Sequence, residues 1–244
     1  MHLTSRQLRS LASDVDDLHH EGMRTFEENV ADVHLDAFRA SRRSVLIGSA
    51  AAVGAAVAFA GPLFLPGSLM SVAAAQGLDD KTIAGYAQSV ELAAVAAYTA
   101  AAGVLSPATL PVGQLFLSHH QQHADAFGKV AGDKAATGPN AKLIAALTPT
   151  LQGIKDEKGA LEFAFVLENQ AAYTYAAALT LLQDPAYAAA TATILPIEAQ
   201  HAVVLGLALG KSVTDVFPTG AFEAAALGDG TDPLKGLDPA VFAG

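Results

Sequence analysis

Glu91 and Glu168 sit inside strongly apolar stretches of the chain. Burying an unpaired carboxylate costs several kcal/mol, so each needs a proton, an ion partner or a metal. Basic partners are scarce: residues 79–244 contain no arginine, and none of their eight lysines is adjacent to these stretches. The remaining partners are imidazoles. His120 and His123 stand three residues apart, as do Glu198 and His201, and that spacing puts each pair on one face of a helix. Two helices that each offer a Glu and two that each offer an i,i+3 polar pair fit a bundle with six inward side chains around a pair of cations.

The elements that must position these groups read as helices. They are expected over about 82–104, ended by Ser106-Pro107, over 112–131, and over 155–182. A fourth begins at Asp184-Pro185, a cap with proline at the first helical position, and ends near Gly210. A shorter helix is expected around 142–147, and the Gly-, Pro- and Asp-rich residues 211–244 are expected to wrap the surface. Alanine, the best helix former, dominates these segments. It gives each helix little apolar area, so such helices need many neighbours, and a four-helix bundle is the simplest solution. An internal repeat supports this. Glu91 and Tyr98 match Glu168 and Tyr175 at an offset of 77, and residues 116–123 align with residues 194–201 at an offset of 78. Tyr98 and Tyr175 fall near the phase of the glutamates, either as hydrogen-bonding or electron-donating neighbours of the site or as core packing. Glu157 and Glu162 read as a solvated face of the third long helix.

With these residues in register, the chain resembles the ferritin-like superfamily, specifically bacterial secreted ferritin-like domain proteins, over roughly residues 80–210. The resemblance implies an all-α, ferritin-like four-helix bundle with a dinuclear metal site. It makes Glu91 and Glu168 the single carboxylates, His123 and His201 the terminal histidines, and Glu198 the bridging carboxylate of the Glu-x-x-His on the fourth helix. The departure is His120, where the family pattern has Glu. The ligand set then holds three carboxylates and three imidazoles, and the protein charge at the six ligands falls from -4 to -3. An imidazole does not bridge as a carboxylate does, which favours an asymmetric centre, zinc, or a single iron over two irons. His119 also lies near this face, but its repeat partner is Ile197, so it ranks below His120. The resemblance implies iron, two per chain in an intact site, with zinc or manganese as alternatives, and oxidation of ferrous iron by oxygen or peroxide. The rival expectation is a non-catalytic helical bundle, a binding or cell-envelope structural protein whose site is degenerate. No residue is assigned as catalytic beyond the metal ligands.

Ahead of residue 79 the chain changes character twice. Residues 1–43 are polar, with six arginines and eight acids, and residues 44–78 carry no charge at all. At the junction, Ser41-Arg42-Arg43-Ser44-Val45-Leu46 resembles the twin-arginine export signal, and Ala73-Ala74-Ala75 looks like a cleavage site. The expected organisation is a polar extension over 1–43, a hydrophobic signal or anchor segment over 44–78, the bundle over 79–210 and a tail over 211–244. The expected destination is periplasmic, envelope-associated or secreted, with membrane attachment through residues 45–70 as a variant. Phe26, Val30 and His34 recur at helical spacing, which suggests a short amphipathic helix in the extension. His2, His19, His20 and His34 precede the arginine pair, and His19-His20 has no matched partner in the repeat.

The 244 residues are 52% apolar and only 16% charged, below the roughly 25% of an ordinary soluble domain, which excludes a wholly disordered chain. A net charge of -10 without a basic stripe excludes nucleic acid as a partner. The absence of cysteine excludes disulfides and thiolate ligands. Metal ions are the expected partners, in a monomer or small homo-oligomer.

Overall fold

The computed structural model describes residues 3–31 and 79–216. Residues 32–78, with the twin-arginine motif, the uncharged stretch and the proposed cleavage point, lie outside the described residues. So do His2 and residues 217–244 of the tail.

The described residues form helices α1 (Ser5–Ala31), α2 (Asp80–Ala101), α3 (Leu110–Ala131), α4 (Ala141–Gly153), α5 (Glu157–Leu181), α6 (Pro185–Ala208) and the single turn α7 (Val213–Val216). α2 pairs with α3 and α5 pairs with α6, so the two halves of the sequence repeat are two helical hairpins of one bundle. Side-chain caps start three of the long helices, the one at Asp184 as expected. Asp79 accepts from the Thr82 amide at 2.7 Å, Asp156 from Gly159 at 2.8 Å, and Asp184 from Ala186 at 2.9 Å with Pro185 in the first turn. The hairpins are also tied to each other at their ends. The Asp80 carboxylate receives the amides of Gln183 and Asp184, at 2.8 and 2.5 Å. Glu157 is not on a solvated face: its Oε1 accepts from the amide and hydroxyl of Ser106, at 3.2 and 2.7 Å, and from the Thr109 hydroxyl, which pins the α2–α3 connection to the start of α5. Glu162 is exposed and pairs with Lys158 on its own helix. Helix α4 runs through Pro149 to Gly153, longer than the segment expected around 142–147, and Asn140 anchors it to the Ser89 carbonyl of α2 at 2.8 Å.

The expectation of a hydrophobic export or anchor helix ahead of the bundle is overturned. Among the described residues, the one helix long and apolar enough to cross a membrane is α6, at the C-terminal side. Half of its apolar stretch is buried, and it carries Glu198 and His201. Its apolar character is that of a helix enclosed by neighbours on several sides. The element that does precede the bundle is α1, and it is packed on it, along α6 and α3. Leu8, Ala12, Val15, His19 and Phe26 form one buried stripe at helical spacing; of the pattern read at Phe26, Val30 and His34, Phe26 belongs to this stripe and His34 lies outside the described residues. Burying the Leu8, Val15 and Phe26 side chains contributes roughly 5–9 kcal/mol before ordering costs, enough to hold a 27-residue helix in place.

Two apolar clusters fill the interior. One joins Leu8, Val15, Tyr98, Phe116, Ile197 and Leu205, and the other joins Phe26, Phe127, Tyr175, Ala190 and Ile194. The buried acids and imidazoles lie between them.

Candidate metal centre

The bundle brings all six sequence-identified side chains together. Glu91 comes from α2, His120 and His123 from α3, Glu168 from α5, and Glu198 and His201 from α6, and none is more than 2% exposed. They form two overlapping sets, Glu91–His120–His123–Glu198 and His120–Glu168–Glu198–His201, within each of which one ligand atom per residue lies within 4.8 Å of the others. His120 and Glu198, repeat counterparts of each other, belong to both sets. The His120 ring lies across the midline, with Nδ1 2.8 Å from Glu91 Oε2 and Nε2 3.1 Å from Glu168 Oε1. The expectation that this imidazole serves one side only therefore changes: it presents a nitrogen to each half.

The repeat is also visible in the tyrosines, whose bonds cross between hairpins. Tyr98 of the first hairpin donates to Glu168 of the second, and Tyr175 of the second donates to Glu91 of the first. Burial and the facing carboxylates push both phenols well above their ordinary value, so they stay protonated donors. His201 completes the second set, with Nδ1 3.2 Å from Glu168 Oε2 and 3.3 Å from Glu198 Oε2. His123 Nδ1 stands 2.9 Å from Glu198 Oε1, but off the direction of a hydrogen bond. Both carboxylate oxygens of Glu198 and both ring nitrogens of His123 are thus buried without a hydrogen bond.

Electrostatics explains how the acids tolerate burial. Burial alone would raise Glu91, but His120 and His123 outweigh it and hold the carboxyl down at about 2. Glu168 is likewise held well below its ordinary value against burial by His120 and His201. Burial disfavours charge on the imidazoles, yet Glu198 and Glu91 lift His123 to about 9. Glu168 and Glu198 raise His201 and raise His120 further. The raised imidazoles and the depressed carboxyls of Glu91 and Glu168 offset one another's charge in the metal-free centre. Bound cations would take the place of the imidazole protons. The residues fit that exchange: the donor set is carboxylate and imidazole, and the orphaned oxygens of Glu198 lie where the two sets meet.

A further layer comes from residues that the repeat did not single out. His201 Nε2 meets His119 Nδ1 at 2.9 Å, and His119 Nε2 meets Asp16 Oδ1, on α1, at 3.0 Å. Burial and the neighbouring His201 push His119 down to about 3, so it is neutral. With Asp16 accepting the proton on His119 Nε2, His119 Nδ1 accepts the proton of His201 Nε2. That fixes His201 with Nδ1 toward the carboxylates, the arrangement by which outer partners orient metal-bound imidazoles. His19 of α1 stacks on His119 at 3.8 Å between ring centroids. The available sequence signal was Asp16, His19 and His20 at i, i+3 and i+4 on one helix.

Comparison with known proteins agrees with this architecture. No curated protein and no solved structure matches the chain. Residues 79–211, more than half of the chain, match the family model described as the ferritin-like domain. This match spans α2 to α6 and every one of the six converging residues, and the chain belongs to the ferritin-like domain family.

Proposed function

We propose that the centre binds two divalent cations and that ferrous iron is its substrate, oxidised by oxygen or peroxide. The observation that carries this reading is Glu198: a fully buried carboxylate, without a hydrogen bond, shared by two sets of ligand atoms. Bound iron would supply the electrons. The chain's own residues do the rest. Tyr98 and Tyr175 hold Glu168 and Glu91 in place, and Asp16 and His119 orient His201. Two ferrous ions would give two electrons, and two of the protons displaced from the ring nitrogens of His120, His123 and His201 would complete the reduction of oxygen to hydrogen peroxide, or of peroxide to water. The apolar clusters on either side exclude bulk water.

The test is aerobic titration of ferrous iron into chelator-stripped full-length protein, following ferric absorbance and bound metal. Two irons per chain and oxidation that disappears in Glu198→Gln support the reading. Failure to retain iron, zinc or manganese at neutral and mildly alkaline pH overturns it. A second reading has its own support: three imidazoliums already neutralise three carboxylates, so the same geometry suits a non-catalytic bundle in which protons replace the metal. That titration separates the two.

Residues 41–46 support export of the folded protein by the twin-arginine route. Changing Arg42 and Arg43 to lysine would then retain the protein inside the cell, and an unchanged distribution between cell fractions would refute export.

A further inference from the structure

Helix α1 carries a second group of metal-ligating side chains that the centre does not use. Asp16, His19 and His20 fall at i, i+3 and i+4, and one ligand atom from each lies within 4.8 Å of the others. The group spans the edge of the bundle. His20 is 65% exposed and the Asp16 side chain 33%, whereas His19 is fully buried. His19 is wedged beside His119 and 5.1 Å, between ring centroids, from His123, yet neither of its nitrogens has a hydrogen-bond partner. An interior imidazole with two unpaired nitrogens is anomalous, and His19 shares that condition with His123 and Glu198 of the six-residue centre. A stacked apolar or aromatic residue would fill the same space without that cost. The unpaired nitrogens make sense if one of them is a ligand.

Asp16 and His20 complete the corner. His20 Nδ1 lies 3.3 Å from Asp16 Oδ1 and 2.8 Å from the Asp16 carbonyl, so a cation here would replace the proton that His20 shares with Asp16. The Asp16 carboxylate has two oxygens and can serve His119 and a cation at once. Two imidazoles and one carboxylate, with a solvent-facing position left open, suit a zinc-class or ferrous cation. They offer too few oxygens for calcium or magnesium.

We propose that Asp16, His19 and His20 form a third cation site, on the α1 side of the bundle and distinct from the six-residue centre, that takes a divalent ion of the zinc or ferrous class. Cobalt(II) is the probe, because its visible absorption reports imidazole and carboxylate ligation, with native mass spectrometry of the full chain counting bound ions. His20→Ala tests the site at an exposed position where folding is not at risk. It should remove one cobalt per chain, or weaken that ion at least about tenfold. In a Glu168→Gln, Glu198→Gln background, one cobalt should persist and then vanish on adding His20→Ala. Where that doubly substituted protein does not fold, His20→Ala in the Glu198→Gln single variant serves the same purpose. Cobalt binding by His20→Ala identical to wild type in number and affinity overturns the proposal, as does a folded centre-disabled protein that binds none. If wild type binds a single cobalt that His20→Ala abolishes, the third site stands and the reading of the six-residue centre fails.

Discussion

His120→Glu is the most informative change, because it restores the family's carboxylate and alters the charge balance in a known direction. In the metal-free protein, Glu91, Glu168 and Glu198 face three imidazoles that their carboxylates hold protonated. The substitution leaves four carboxylates facing two imidazoliums, in a site at most 2% exposed. Leaving a buried charge without its partner costs about 3–5 kcal/mol, which a protonated Glu would only partly relieve. At about 2–4 °C per kcal/mol for a domain of this size, the stripped variant should melt roughly 6–20 °C below wild type. Two divalent cations reverse the order. With neutral histidines the loaded centre carries a net charge of +1 in wild type and none in the variant, so loading should stabilise the variant far more. Thermal unfolding of stripped and zinc-loaded samples, followed by circular dichroism at neutral pH, measures both differences. If the stripped variant melts with wild type, or if zinc raises both by the same amount, His120 is not a charge-balancing member of the centre.

The metal-free protein should be most stable close to pH 6.5, the ordinary imidazole value. The raised His120, His123 and His201 contribute fully below it, and that contribution is lost as pH climbs through their folded-state values, about 9 for His123. His19 and His119, pushed down to about 2 and about 3, contribute fully above it and lose that contribution as pH falls; a urea series showing stability rising steadily into alkali would contradict this. Tyr98→Phe and Tyr175→Phe should each cost about 1.5–3 kcal/mol in chemical denaturation, since each deletes a donor to a buried carboxylate. Equal and negligible effects would mean that the crossed tyrosine–glutamate pairs are not made. Gly85→Ala should destabilise by about 1–3 kcal/mol despite alanine's helix propensity, because its Cβ would lie 2.0 Å from the Lys134 carbonyl oxygen, a backbone atom. A stabilised variant would show that α2 does not approach the turn after α3 this closely.

The bundle was legible because its determinants are local. The cap at Asp184 acts within its own first turn, and a carboxylate in an alanine-rich run is anomalous wherever its partner lies. The duplicated spacing then placed Glu91, Glu168, His123 and His201 in register without any contact information. What stayed hidden depends on pairing across long separations. Nothing near Asp16 in the chain announces His119, 103 residues away, and the polar composition of residues 1–43 masked the buried stripe on α1. Glu157 looked solvated because its partners, Ser106 and Thr109, sit in another connection. The crossing of the tyrosines is equally unreadable: the repeat puts each Tyr seven residues after a Glu, but the fold hands it to the other Glu.

The one break in that symmetry decides how the centre relates to folding. With Glu at the position of His120, a metal-free core would hold four acids and two imidazoles, and without cations it could not be neutral unless acids were protonated. With His120 three imidazoles are there to balance three acids, and the ring contacts Glu91 on one side and Glu168 on the other. In the metal-free protein these imidazoles and carboxylates can offset one another's charge without a cation. On the proposed reading each cation would displace protons from His120, His123 and His201, so uptake would answer to pH as well as to supply. Helix α1 reinforces the same separation: its apolar stripe and the Asp16–His119–His201 chain set the orientation of a ligand before any cation arrives.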